Sequence, residues 1–254
     1  ERRNAWPGMD LYDFVVCLYE KDILILQREK NTVLSYTYPY GQIQCIQHRE
    51  DLLYGNMRLI MNNKTFNLPY NNVSLKVILK VIDCIRQRYA DETRHMVKSS
   101  FTEKALQSMS YYFKGLLRKE KTRNPEFTIL ASQDETSVAF SEAGFFHKFK
   151  SGLLGKRMME SLHMTDGREL MIINRGQPFR RRSEAVYSRE TFYVPMGKLK
   201  DISMDDDQQN SAVLNQELVT ANNSYHLVFL KKNETVTSYK KINFGRSLAS
   251  VLKE

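Results

Sequence analysis

Pro39-Tyr40-Gly41-Gln42-Ile43-Gln44-Cys45-Ile46 and Pro195-Met196-Gly197-Lys198-Leu199-Lys200-Asp201-Ile202 share one pattern, P-x-G-x-[IL]-x-x-I. Each copy follows a β-rich aromatic run, 36–38 in the first and 191–194 in the second, and leads into polar, acidic sequence. A pattern that recurs in matching context is the mark of an internal repeat. Two related domains are expected, 1–92 and 125–254, with 93–124 as a helical linker between them.

Around the first copy the chain reads as short strands at 13–19, 22–27, 32–38, 42–47, 56–61 and 65–68. Val, Ile and Leu fill them, and Leu59, Met61, Phe66 and Leu68 alternate with polar neighbours, the period of a half-buried strand. The period then changes. Between 72 and 89, Leu75, Ile78, Leu79, Ile82, Ile85 and Tyr89 recur every three or four residues and make one apolar helix face. Asn72 or Ser74 suits the N-cap, and Arg86 and Arg88 suit the negative end of the helix dipole.

The linker is expected to hold one helix over 100–120, opened by the capping box Ser100-Phe101-Thr102-Glu103. Its stripe of Ala105, Leu106, Met109, Tyr112, Phe113, Leu116 and Leu117 serves either as a packing face against a domain or as an interfacial membrane helix, the former being the commoner use. Around the second copy, strands are expected at 127–131, 137–141, 145–149, 157–164, 169–174, 185–194, 199–204, 212–220, 225–230 and 235–241. A short helix at 246–253 closes the chain, and 176–183 and 205–211 read as surface loops.

Strands followed by an amphipathic helix, with the proline–glycine strand in the middle, resemble the pleckstrin-homology-like superfold, and more narrowly the bacterial PH and GRAM-like domains. The stretch Ser161-Leu162-His163-Met164-Thr165-Asp166-Gly167-Arg168-Glu169-Leu170-Met171-Ile172-Ile173 is similar to that family's L-T-D hairpin. Leu18-Tyr19-Glu20-Lys21-Asp22-Ile23-Leu24-Ile25 holds the same place in the first half without the Thr-Asp pair. Tyr40-Gly41-Gln42-Ile43, followed by Asn63-Lys64-Thr65-Phe66-Asn67-Leu68, continues the likeness, which covers most of 12–90 and 136–253. The resemblance implies an α+β fold, mainly antiparallel β: two PH-like β-barrel or sandwich domains, each closed by a C-terminal helix. It also implies a binding or scaffold module for phosphoinositides, other lipids or protein segments. The first half shows six strands, one short of the family's usual seven.

Composition fits this class. Hydrophobic residues are 42% and charged residues 26%, the balance of a globular chain of a length that accommodates two cores. No apolar run reaches the 18 residues of a membrane-spanning helix, and Glu1-Arg2-Arg3-Asn4 carries no secretory apolar region. With no initiator Met at its start, the chain is expected to have lost residues upstream of Glu1, among which a membrane anchor is one candidate. Cys17, Cys45 and Cys84 are odd in number and set in apolar runs, which suits buried thiols in a reducing compartment. A cytoplasmic protein, at most peripheral to the inner face of the membrane, is expected.

The formal charge of +9 is uneven: 94–123 holds eight Lys/Arg against two Glu, and 144–182 nine against three acids. Such stretches suit anionic partners, although a solvated face is the commoner use of a charge run. Within the second, Lys148, Lys150, Lys156 and Arg157 bracket a glycine-containing loop, and Arg180, Arg181 and Arg182 follow Phe179. These seven are the candidate anion- or lipid-binding residues. The five histidines are scattered, and no Cys-x-x-Cys, G-x-S-x-G, Walker or G-x-G-x-x-G motif occurs. Asp205-Asp206-Asp207 lacks the alternating spacing of a calcium loop. The expectation is a non-catalytic binding protein without cofactor or metal, whose partner is an anionic phospholipid surface or an acidic protein. The alternative is a nucleic-acid-binding protein that uses these cations with Phe145, Phe146, Phe149 and Phe179.

Overall fold

The computed structural model describes residues 12–89, 103–138, 156–176, 179–181, 186–206, 213–220 and 224–230. Described strands are antiparallel throughout, with three helices, an α+β fold dominated by β.

The first half opens with a meander of β1 (Phe14–Leu18), β2 (Asp22–Glu29) and β3 (Thr32–Pro39). A second meander, β4 (Ile43–Glu50), β5 (Tyr54–Met61) and β6 (Thr65–Asn71), leads into α1 (Leu75–Tyr89). The six strands and the helix expected here are all present. Ile23 and Ile25 of β2, Met57 and Leu59 of β5, Phe66 and Leu68 of β6, and Ile82, Ile85 and Tyr89 of α1 share one buried cluster. Phe66 meets Tyr36 and Tyr38 of β3 edge-on at 5.3 and 5.9 Å, which ties the two meanders together.

The linker departs from the single expected helix. It holds α2 (Glu103–Ser108) and α3 (Tyr111–Arg123), broken at Met109-Ser110. Ser110 is the reason: its hydroxyl accepts from the Phe113 amide at 3.3 Å and restarts the helix as an N-cap. Met109, Phe113, Leu116 and Leu117 join the same core, so the stripe is a packing face. The capping box at Ser100 lies outside the described residues.

The second half contains β7 (Thr128–Gln133), β8 (Thr136–Val138), β9 (Lys156–Met158), β10 (Ser161–Thr165), β11 (Glu169–Asn174), β12 (Phe179–Arg181) and β13 (Arg189–Pro195). These are followed by β14 (Leu199–Asp206), β15 (Val213–Thr220) and β16 (Ser224–Leu230). The strand expected over 157–164 is split at Met159-Glu160, because β9 pairs with β8 and β12 whereas β10 pairs with β7 and β11. The loop expected over 176–183 contains β12 instead. The strands expected at 145–149 and 235–241 and the helix at 246–253 lie outside the described residues.

Between β10 and β11 the Thr165-Asp166-Gly167-Arg168 turn is built by its own side chains. Asp166 Oδ1 accepts from the amides of Arg168 (2.9 Å) and Glu169 (3.0 Å), and Gly167 takes φ 82°.

A seven-stranded sheet in the order β6-β5-β4-β13-β11-β10-β7 runs through both halves. Its seam is the β4–β13 ladder, from Arg189↔Glu50 to Tyr193↔Ile46. The other sheets are β1-β2-β3, β12-β9-β8 and β14-β15-β16. Among the described residues no pairing closes a sheet into a barrel, contrary to the barrel form of the expectation. The edge of β4 that a closed barrel would use is occupied by β13.

Both proline–glycine motifs do the same thing. Each is a one-turn 3₁₀ segment that carries the chain out of one sheet and into another: β3 to β4, and β13 to β14. Pro39 (φ −58°, ψ 143°) and Pro195 (φ −59°, ψ 130°) precede the two turns, and Ile43 (−72°, 122°) and Leu199 (−71°, 126°) follow them. The register then slips once in each strand, between Ile43 and Cys45 and between Leu199 and Asp201. The extra residue is the sixth of the motif both times, Gln44 and Lys200.

Candidate functional site

Four of the seven candidate cations lie on neighbouring strands of one small sheet. In the small sheet β12-β9-β8, Arg180 is the register partner of Arg157, and Arg181 of Lys156. Residues 23 and 25 positions apart in the chain are thus set opposite one another, and because successive residues of a strand face opposite ways, the two pairs fall on opposite faces of the small sheet. Glu135, just before β8, accepts from Arg157 Nη1 at 2.7 Å. Ser137 of β8 stands opposite Arg157 on the other side. Lys148, Lys150 and Arg182 lie outside the described residues, as do Phe145, Phe146 and Phe149; Phe179 opens β12, paired in register with Met158.

Asp205 and Asp206 end β14 opposite Asn215 and Leu214, while Asp207 lies outside the described residues. Among the described residues no group of three His, Cys, Asp or Glu side chains could hold a metal ion. Cys17, Cys45 and Cys84 are free thiols, Cys45 buried and the others half-buried. No described helix is long and apolar enough to cross a membrane.

Three polar constellations were not singled out by the sequence. The first joins the halves. Arg86 of α1 donates through Nε to both carboxylate oxygens of Glu169 in β11 (3.0 and 3.1 Å) and through Nη1 to Asp83 at 3.0 Å. Tyr89 donates to the same carboxylate at 2.8 Å, and the guanidinium lies 4.3 Å from the Tyr193 ring centre. Burial works against the charge on Arg86, and the Glu169 carboxylate outweighs it, so the guanidinium is held charged. Burial, reinforced by Glu169, pushes the Tyr89 phenol well up, which keeps it a donor. A cleft of about 280 Å³ opens beside this pair, edged by Arg123, Asn124, Asp166 and Arg168. With Arg86 shared between two carboxylates, the pair acts as a clamp rather than a receptor.

The second lies at the seam. His48 of β4, almost fully buried, shares a 2.5 Å hydrogen bond with the Tyr70 hydroxyl, and its Nδ1 stands 3.5 Å from Glu50. Glu50 in turn pairs with Arg189 of β13. Burial, helped by Arg189 and opposed by Glu50, lowers the imidazole pKa to about 4, so it is neutral at physiological pH. Tyr70 lies directly over Gly55, its register partner; a Cβ at Gly55 would sit 2.0 Å from the ring.

The third is a shallow polar recess of about 500 Å³ on the sheet face across β13, β4, β5 and β6. Its side chains bond to one another: Gln47 donates to Glu190 at 2.7 Å, Arg58 to Gln47 at 2.9 Å, and Asn56 to Asn67 at 2.6 Å. Comparison with known family models and with curated proteins finds no match, so the functional reading depends on the chain's own geometry.

Proposed function

We propose that the chain is a non-catalytic binding protein of two pleckstrin-homology-like halves, which docks on an anionic phospholipid surface through the β12-β9-β8 sheet. The observation that carries this reading is the register of Arg180 with Arg157 and of Arg181 with Lys156. The register sets two basic residues opposite one another at each of two successive positions, one pair to each face of the sheet, and head-group phosphates would meet the pair on the face turned toward the membrane.

The duplicated build supports the family reading. In each half a sheet ends in a proline-preceded 3₁₀ turn, a strand with a bulge at the same motif position follows, and a three-stranded meander completes the unit. The first half then supplies a helix across its sheets, as such domains do.

Co-sedimentation with anionic and neutral vesicles tests the reading, with the native chain and an Arg180→Ala/Arg181→Ala/Arg182→Ala variant. Selective pelleting with anionic vesicles, weakened by the triple change, is expected. Equal behaviour toward both vesicle types would remove the lipid and leave an acidic protein as partner. Tight binding to single-stranded nucleic acid, lost steeply with salt, would favour the nucleic-acid alternative.

A further inference from the structure

β1 is the outer strand of the first meander, and its backbone shows which groups face outward. The Arg28 amide donates to the Asp13 carbonyl at 2.8 Å, and the Tyr19 amide to the Asp22 carbonyl at 2.9 Å. These bonds continue the β1–β2 ladder at both ends, so the odd-numbered residues are the ones that bond to β2. In an antiparallel ladder the direction of these groups alternates along the strand. The N–H and C=O of Phe14, Val16 and Leu18 therefore point away from β2. Among the described residues no strand pairs with that side of β1.

Proteins normally blunt such an edge with proline, charge or a bulge. The other edges of the first half are treated in this way: Pro69 interrupts β6, and β3 ends at Pro39. Phe14-Val15-Val16-Cys17-Leu18 contains neither proline nor charge, and its register with β2 runs without a slip. It is also apolar on both faces, the composition of a strand covered on both sides. Phe14, Val16 and Leu18 pack against the core yet remain half-buried. On the other face Val15 is 50% exposed, next to Leu26 of β2, and Cys17 stands next to Leu24. In the same two rows β3 carries Ser35 and Thr37. The apolar side chains of these rows thus lie toward the open edge.

We infer that β1 pairs antiparallel with β1 of a second copy of the chain, about a twofold axis at Val16, and joins the two meanders into one continuous sheet. The outward groups belong to residues 14, 16 and 18, a set symmetric about 16. Laid antiparallel on itself, the strand meets each of its outward donors with an outward acceptor: Phe14 with Leu18, and Val16 with Val16. A patch that complements itself is what a twofold dimer requires. On the core side an aromatic ring then faces a leucine and two β-branched side chains face each other, while Val15 faces Cys17 on the other side. The charged residues Asp13, Glu20, Lys21 and Asp22 flank the ladder. In this register Asp13 falls opposite Tyr19 and Glu20 opposite Tyr12, so like charges are not set face to face. The contact uses no residue of the β12-β9-β8 sheet and stands whether or not that sheet meets lipid.

A ladder of five residues is small beside a standard interface, so a weak, concentration-dependent dimer is expected. Sedimentation velocity over a rising concentration series should show the native chain passing from monomer to dimer. Val16→Pro removes an N–H that points away from β2, so the variant should keep its Tm and stay monomeric. Val15→Cys sets a thiol opposite Cys17 of the second copy, at the roughly 4.5 Å Cα separation of a pair without mutual hydrogen bonds. That is within the span of a disulfide, and mild oxidation is expected to convert most of this variant to covalent dimer. Val15→Cys/Cys17→Ser should give none, which separates this pairing from a link through Cys84. Should Val16→Pro lower the Tm, the cross-link decides alone. A native chain that stays monomeric at every concentration would overturn the inference. Slow exchange of the Phe14, Val16 and Leu18 amides in that monomer would assign the edge to a segment of the same chain. A dimer that survives Val16→Pro and gives no Val15→Cys cross-link lies elsewhere on the molecule and would overturn it too.

Discussion

Arg86 and Glu169, 83 residues apart, meet through a guanidinium nitrogen within 3.1 Å of both carboxylate oxygens, and this pair fixes α1 of the first half to β11 of the second. Both side chains are largely buried. Removal of one partner strands the other's charge away from water. Glu169→Ala is expected to destabilise the fold by about 3–5 kcal/mol, and Arg86→Leu/Glu169→Leu to cost less than either single change. Urea titration of the three variants decides it; a loss below about 1 kcal/mol for Glu169→Ala would mean that the clamp carries little.

A second expectation concerns the seam. Tyr70 covers Gly55 and is held there by its hydrogen bond to His48. Gly55→Ala pushes a methyl group into the ring and is expected to cost about 1–3 kcal/mol. The penalty should largely vanish when Tyr70 is also Ala, and a double-mutant cycle reads that coupling.

Acid should loosen the same region. In the folded chain His48 has a pKa of about 4, against 6.5 for the free side chain, so the unfolded state binds the proton first. Stability is unaffected above pH 6.5 and declines as pH falls from 6.5 toward 4, by about 3 kcal/mol in all from this residue. Buried His163, lowered by burial to about 3, adds to the same slope. His48→Gln should flatten the decline, and an unchanged slope across pH 4–6.5 would show that His48 is not the buried neutral group described.

At the β2–β3 turn Lys30 has φ 56°, a left-handed conformation in which a Cβ is crowded. Lys30→Gly is expected to raise stability by about 0.5–1 kcal/mol, readable as a higher Tm. A lower Tm would mean that the lysine side chain contributes more than its backbone strain costs.

Local pattern made much of the fold legible. The alternation of Leu59, Met61, Phe66 and Leu68 placed β5 and β6, and the spacing of Ile82, Ile85 and Tyr89 placed the buried face of α1. The repeated proline–glycine pattern read as a strand in each half; that each copy opens with a 3₁₀ turn before the strand was seen only in the fold. The β4–β13 seam was not legible: nothing in Gln47, Arg49, Glu190 or Phe192 encodes which strand will lie alongside across more than 140 residues. Likewise Ser110 reads as one more small polar residue in a helical stripe until its hydroxyl is seen to cap Phe113. Of the candidate site, the sequence supplied the cations but not their pairing across two strands. The run after Pro178 reads as a loop, and only the register with β9 sets Arg180 beside Arg157 and Arg181 beside Lys156.

Docking of the β12-β9-β8 sheet on an anionic membrane is the central claim, and hydrogen exchange with and without anionic vesicles tests it most directly. Slowed exchange is expected in β9 and β12, with no change at the far end of the seven-stranded sheet around Gly41, Gly167 and Gly197. Protection at that far end, or none anywhere under conditions where the vesicles carry the protein down, would contradict the account.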